Sequence, residues 1–268
     1  MTHTITNNTI TIRDFELNIQ QGILHPENKT IVFLHDSLGC NALWRSFPEQ
    51  LAASSGLNYM MYDRRGYGLS DPFSDEQRTK DYMEAEATIL MELLEQLHIE
   101  NPVLFGHSDG GTIALIAAAK HPDAFTAVIT EGAHVFVEEI TLDGIAHTKY
   151  QYQTTNLKER LQKYHGNKTE ALFHAWTETW LRNDFRDWNI EHFLPAITCP
   201  VMVIQGVEDE FGSYEQVQFI ANNTSGAKQI CMVNNAGHSP HKQSELWLIN
   251  ECCRFLEDSA RHADSVAK

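Results

Sequence analysis

Residues 102–120 read PVLFGHSDGGTIALIAAAK, and this stretch decides the fold. Pro102, Val103, Leu104 and Phe105 form a short apolar run that ends at a glycine, the texture of a strand buried on both faces. From Thr112 to Lys120 the apolar residues continue at helical density. Between strand and helix lie only Gly106-His107-Ser108-Asp109-Gly110 and one more glycine, so the chain must turn sharply. A serine at the apex of such a bend takes a strained backbone. The glycines two positions to either side let neighbouring backbones pass without Cβ clashes.

The same texture recurs outward along the chain. Apolar runs at 30–34, 59–62, 124–129, 201–204 and 229–233 read as further buried strands, and helical patterns lie between them. The clearest helix spans 82–97, where Ala85, Ile89, Leu90, Leu93 and Leu97 recur at helical spacing. At the start, Ile10, Ile12, Phe15, Leu17 and Ile19 alternate with polar residues across a slip at Arg13-Asp14, which predicts a half-buried hairpin on a sheet edge. Alternating strands and helices predict an α/β fold with a mostly parallel central sheet and helices on both faces, because parallel neighbours need long crossovers.

The alternation stops over residues 134–195. Helix-like segments at 140–154, 157–164 and 170–181 carry no convincing strand, which predicts a helical cap inserted into a core of residues 1–133 and 196–268. The insert holds Phe136, Phe173, Trp176, Trp180, Phe185, Trp188 and Phe193, an aromatic load suited to an apolar pocket. Most of these rings are expected to pack the cap against the sheet. Phe136, Trp176 and Trp180, with Asp36 from the core, are the candidate substrate contacts.

Composition narrows the function classes. The chain has 268 residues, 42% hydrophobic and 21% charged, enough to bury one large core with an insert. A formal net charge of −16 repels phosphate backbones, so neither nucleic acid nor an anionic membrane is an expected partner. The first residues, MTHTITNNTI, lack a basic region followed by an apolar one, and about 18 uninterrupted apolar residues occur nowhere. The expectation is a soluble, cytoplasmic chain, monomeric or homodimeric, acting on a small molecule. Five cysteines without CxxC spacing argue against both a disulfide framework and a zinc knuckle. No metal or cofactor is expected.

Ser108 is the candidate nucleophile, and serine needs a base beside it. Of fourteen histidines, His238 in Asn235-Ala236-Gly237-His238-Ser239-Pro240 is best placed, in the loop after the last apolar run. His241 is the nearest rival and reads as a solvent-exposed loop residue; His107 reads as structural. The acid should precede the base and follow a strand, which selects Asp209 in Gln205-Gly206-Val207-Glu208-Asp209-Glu210, with Glu131 as the alternative. Donors for a developing oxyanion are expected from the backbone N–H groups of Ser37 and Asp109.

Together these pieces resemble the α/β-hydrolase superfamily from Thr30 to about Leu256. The carriers are His35 to Gly39, Trp44, Asp63-Arg64-Arg65-Gly66-Tyr67-Gly68-Leu69-Ser70, Gly106 to Gly110, Gly206 with Asp209, and Gly237-His238. The glycines of the 63–70 stretch serve a tight turn rather than a phosphate cradle. The resemblance implies hydrolysis of a carboxylic ester, thioester or lactone through an acyl-enzyme. The chain also looks like small bacterial members carrying Gly-His-Ser-Asp-Gly, some of whose capped relatives open lactones, including acyl-homoserine lactones. Carbon–carbon bond hydrolases, cofactor-free dioxygenases and ligand receptors share the fold and are the alternatives. No HxHxDH pattern supports a metal-dependent lactonase. Two departures stand out: Asp36 where the superfamily usually has glycine, and Asp109 directly after the nucleophile.

Overall fold

A computed structural model describes residues 2–74 and 78–266. Eight strands form one sheet in the order β1-β2-β4-β3-β5-β6-β7-β8. They are β1 (Thr4–Ile12), β2 (Phe15–Ile23), β3 (Thr30–Leu34), β4 (Asn58–Tyr62), β5 (Val103–His107), β6 (Ala127–Glu131), β7 (Val201–Gly206) and β8 (Lys228–Val233). The first two make the expected hairpin, with Ile12 opposite Phe15 and Arg13 at φ 57° in the two-residue turn. β2 joins β4 antiparallel, and from β4 to β8 every pairing is parallel.

Residues of β4, β5, β6 and β7 are buried without exception. Their side chains alternate between two apolar layers, as a period of two requires. Val32, Leu104, Val128 and Val203 face one layer, which holds Leu90 of α2 (Tyr82–Gln96) and most of α3 (Asp109–Lys120). Phe33, Phe105, Ile129 and Ile204 face the other, which holds Leu51 of α1 (Phe47–Ser55) and, from the C-terminal helix (Glu245–Val266), Leu248 and Phe255.

Between β6 and β7 the chain forms α4 (Glu139–Thr154), α5 (Leu157–His165) and α6 (Thr169–Trp180), with short 3₁₀ turns at Gly166–Lys168, Asn183–Phe185 and Glu191–Ala196. Within this segment Phe185 stacks on Trp188 at 5.4 Å, and Trp180 packs against both. Phe173 stacks on Tyr152 at 3.8 Å. These rings pack on one another within the segment, and Trp180 and Phe185 also reach Tyr82 of α2, whose hydroxyl accepts the Trp180 indole N–H at 3.2 Å.

Connections run in opposite directions from β3 and β5: β4 lies on one side of β3, and β5 with the later strands lies on the other. Loops leaving the carboxyl ends of β3 and β5 therefore diverge and open a crevice, the usual ligand position in an open α/β sheet. Residues 35–39 and Ser108 lie on those two loops. α7 (Tyr214–Asn223) and α8 (Pro240–Gln243) follow β7 and β8 and complete the rim of the same end.

Candidate active site

Ser108 sits at the end of β5 with φ 55° and ψ −121°, a backbone that L-residues rarely adopt. Its neighbours explain why the chain tolerates this. A Cβ on Gly106 would lie 2.2 Å from the Gly110 carbonyl oxygen, and one on Gly110 would lie 2.1 Å from that of Leu34. Only glycine at both positions lets α3 start so close to β3 and β5. Ser108 donates its N–H to the Glu131 carbonyl at 2.8 Å, and its own carbonyl accepts the N–H groups of Gly111 and Thr112.

Asp209 and His238 meet across the ends of β7 and β8. His238 Nδ1 lies 2.9 and 3.0 Å from the two Asp209 carboxylate oxygens. Asp209 also accepts the Phe211 N–H at 2.8 Å and Gln205 Nε2 at 2.7 Å, so both oxygens are held. Its side chain is buried, whereas Glu208 and Glu210 on either side are exposed. Burial alone would raise the Asp209 carboxyl, but His238 and these hydrogen bonds outweigh it and the pKa is lowered. Burial would likewise lower His238, yet the Asp209 carboxylate, helped by Asp36 and Glu210, leaves its pKa raised above 6.5. A proton held on Nδ1 leaves Nε2 as the basic nitrogen.

Ser108, His238, Ser37 and Asp109 line one cavity of about 170 Å³, together with Asp36, His134, Ile145, Trp176, Trp180 and Phe211 among others. Ser108 and His238 share this cavity without a direct hydrogen bond between them, a loose arrangement common in ligand-free sites. Neither the Ser37 nor the Asp109 N–H donates to a protein acceptor among the described residues. Of the helical segment, Trp176 and Trp180 line this cavity, and so do Thr141, Ile145 and Thr148.

Several expectations are corrected. Phe136 is absent from this cavity: it forms an isolated bridge with Asn189 and packs edge-on against Phe219 of α7 at 5.6 Å. That pairing turns its ring away from the crevice. His241 is 3% exposed, not a solvent-facing loop residue, because α8 folds back under the sheet end and seats its ring against Trp44 at 4.8 Å and Phe47 at 5.5 Å. Glu131 is paired with His241, from Oε2 to Nδ1 at 2.6 Å. It is therefore engaged elsewhere than at His238. The two unusual carboxylates also differ. Asp109 is buried and accepts the Tyr82 hydroxyl at 3.0 Å, with Arg64 Nη1 3.9 Å away. Asp36 stays a quarter exposed at the cavity edge, 3.8 Å from His107 Nδ1. Burial would raise the Asp36 carboxyl, but the charges of His107, Lys242 and other neighbours bring it down to about 2.

Sequence reasoning missed four supports. Gly132, at φ 60°, lies directly under the His238 ring. His134 donates Nε2–H to the Phe211 carbonyl at 2.9 Å, at the cavity wall. Gln205 bridges Asp209 and the Gly212 carbonyl. Arg64 donates Nη2 to the carbonyls of His35 at 3.2 Å and Asp36 at 2.9 Å, pinning the loop that carries Ser37. The Asp63-Arg64-Arg65-Gly66 motif was the available signal for Arg64, read there as a turn alone. That turn is real: the Asp63 carboxylate accepts the Leu69 N–H across it at 2.9 Å, and its other oxygen accepts the Asn41 N–H from outside the turn.

The sequence of residues 29–192 matches the family described as alpha/beta hydrolase fold. The chain belongs to that family. Among its relatives, serine hydrolase BPHL of Homo sapiens is 30% identical over 207 residues, which cover 74% of this chain and 67% of that protein. Proline iminopeptidase of Saccharolobus solfataricus is 23% identical over 294 residues, covering 89% and 93% of the two chains. The solved structure of 2-hydroxy-6-oxo-6-phenylhexa-2,4-dienoate hydrolase from Rhodococcus sp. strain RHA1 superimposes with a TM-score of 0.81 at 14% identity, covering 96% and 100%, and shares the fold. Hydrolase names among the relatives support a hydrolase. Among the described residues of this family member, no helix is long and apolar enough to cross a membrane.

Proposed function

We propose that this chain is a serine hydrolase that cleaves a carboxylic ester, thioester or lactone through an acyl-enzyme on Ser108. One observation carries the reading: a strained Ser108 shares a cavity with a histidine whose Nδ1 is held by a buried carboxylate. In the proposed reaction Ser108 Oγ attacks the acyl carbon while His238 Nε2 takes its proton. The backbone N–H groups of Ser37 and Asp109 stabilise the tetrahedral oxyanion. Collapse expels the leaving group, which takes the proton from His238. Water then attacks the acyl-enzyme with His238 again as base, releasing the acid and restoring Ser108.

Cavity shape and charge narrow the substrate. At about 170 Å³ the space is close to the roughly 150 Å³ apolar cavity that admits benzene, which favours a short acyl group. Asp36, Asp109 and Glu210 line it and no lysine or arginine does among the described residues, which favours a neutral or cationic substrate over an anionic one. Residues 134–195 serve as the cap that sets acyl size, through Ile145, Trp176 and Trp180.

Turnover of p-nitrophenyl esters, thioesters and acyl lactones by the wild type and Ser108→Ala, with oxygen uptake recorded in parallel, tests the proposal. Hydrolysis lost in Ser108→Ala is the expected result. Hydrolysis that survives the substitution, or oxygen uptake without hydrolysis, would overturn it in favour of chemistry driven by the His238–Asp209 pair alone.

A further inference from the structure

Glu131, the last residue of β6, touches both loops that carry the proposed reacting groups. Its backbone carbonyl accepts the Ser108 N–H at 2.8 Å. Its carboxylate accepts two hydrogen bonds from His241, from the backbone N–H to Oε1 and from Nδ1 to Oε2, each 2.6 Å long. Both side chains are almost wholly buried. His241 follows His238 by three residues, so the carboxylate grips the loop from which the base projects. His107 fills the remaining gap: its Nε2–H donates to the His238 carbonyl at 2.7 Å, and its ring lies 5.0 Å from that of His238 and 5.1 Å from that of His241.

Stability alone gives a poor account of this cluster. Burying a carboxylate and an imidazole carries a desolvation cost that an apolar pair of similar volume would avoid. An apolar side chain, however, accepts no hydrogen bond, and here one carboxylate fixes a backbone N–H and a ring together. Cation binding accounts for it no better. His107, Glu131 and His241 offer ligand atoms within 4.8 Å of one another, but both Glu131 oxygens and His241 Nδ1 are already committed to each other.

We propose that Glu131 is a positioning residue that sets the separation of Ser108 and His238, holding the serine loop by its backbone carbonyl and the histidine loop by its carboxylate through His241. This inference rests on the acyl-transfer reading above. Its effect belongs in kcat, because a misplaced base slows attack without weakening substrate binding.

A fluorophosphonate probe separates the two ideas. Wild type labelled on Ser108, with Ser108→Ala unlabelled, supports the acyl-transfer reading whatever Glu131 does. An unlabelled wild type sinks that reading, and this inference with it. Given labelling, Glu131→Gln is expected to lower both the labelling rate and kcat on p-nitrophenyl acetate on the order of 100-fold, with KM nearly unchanged. The low-field proton resonance of the His238–Asp209 hydrogen bond should persist in that variant, while the His241–Glu131 resonance disappears. His241→Asn, whose amide N–H can take the place of Nδ1, should restore most of the rate, and His241→Ala should not. Wild-type kcat in Glu131→Gln overturns the proposal. Should that variant fail to fold, equal losses in His241→Asn and His241→Ala do the same.

Discussion

Gly132 lies beneath His238 so closely that a Cβ at position 132 would sit 2.8 Å from the imidazole Cε1 and 3.0 Å from Nδ1. The glycine also has φ 60°, so a larger residue would meet backbone strain and the ring at once. Gly132→Ala should therefore push the imidazole off its line. Steady-state kinetics are expected to show kcat falling by roughly 10- to 100-fold, alongside a destabilisation of about 1–3 kcal/mol in urea melts. Loss of stability with kcat intact would mean that the ring position does not limit the rate.

Arg64 offers a test of the opposite wall. Its guanidinium donates to the carbonyls of His35 and Asp36, while its backbone N–H donates to His35 Nε2 at 3.1 Å. If this grip aims the Ser37 N–H at the oxyanion, Arg64→Met should cost up to the value of one such donor, about 10²- to 10³-fold in kcat. Arg64→Lys should rescue little, since one ammonium cannot reproduce the guanidinium fork. A full rescue by lysine would argue for charge rather than aim.

The pH dependence of the reaction should follow His238. Its folded pKa is raised, first against burial and then by Asp209, so the acidic limb of kcat/KM is expected at a midpoint above 6.5. Asp209→Asn should move that limb down as well as lower the rate, by a factor that reaches about 10⁴ where the acid fixes the tautomer. A limb that stays in place in the Asn variant would point to another orienting group.

Stability should respond to acid through a different histidine. Burial pushes His107 down to about 4, so the unfolded chain binds a proton below 6.5 that the native chain refuses. Stability from this group is therefore complete above 6.5 and declines as pH falls toward 4, by about 3 kcal/mol. His35, His134 and His165 are also lowered by burial and act in the same sense. His238 acts oppositely: its contribution is present below its unfolded pKa and fades as pH rises through the raised folded value. Urea melts at pH 7 and 4.5 check the sum, and an unchanged midpoint would contradict the burial of neutral His107.

Cavity size sets the last expectation. Acetyl to butyryl esters should be preferred to octanoyl esters, and Trp176→Leu should raise the octanoyl-to-butyryl ratio of kcat/KM by opening the wall. A ratio unaffected by the substitution would place the acyl chain outside the cavity that Trp176 lines.

Much of this architecture could be read from residue order. The buried strands announced themselves as apolar runs, and Ser108 as the hinge between one run and a helix, because burial on both faces and sharp turns leave local marks on composition. Asp209 and His238 were nameable for a related reason, each lying just past a strand on the side where loops gather. Boundaries followed less well: β5 and β6 run two residues further than the apolar runs 102–105 and 124–129, since His107 and Glu131 are polar residues buried by their partners.

What order alone determined, then, is the alternation of strand and helix and a short list of candidate side chains. Tertiary structure decided their pairing. Glu131 and His241 are 110 residues apart and meet because β6, β7 and β8 lie side by side; nothing local marks that contact. Phe136 turns away from the crevice and Arg64 reaches under it through contacts that are also non-local, with Asn189 and with Asp36. Periodicity and turn chemistry act over a few residues. Which carboxylate meets which imidazole depends on strand order and on the direction each loop takes as it leaves the sheet.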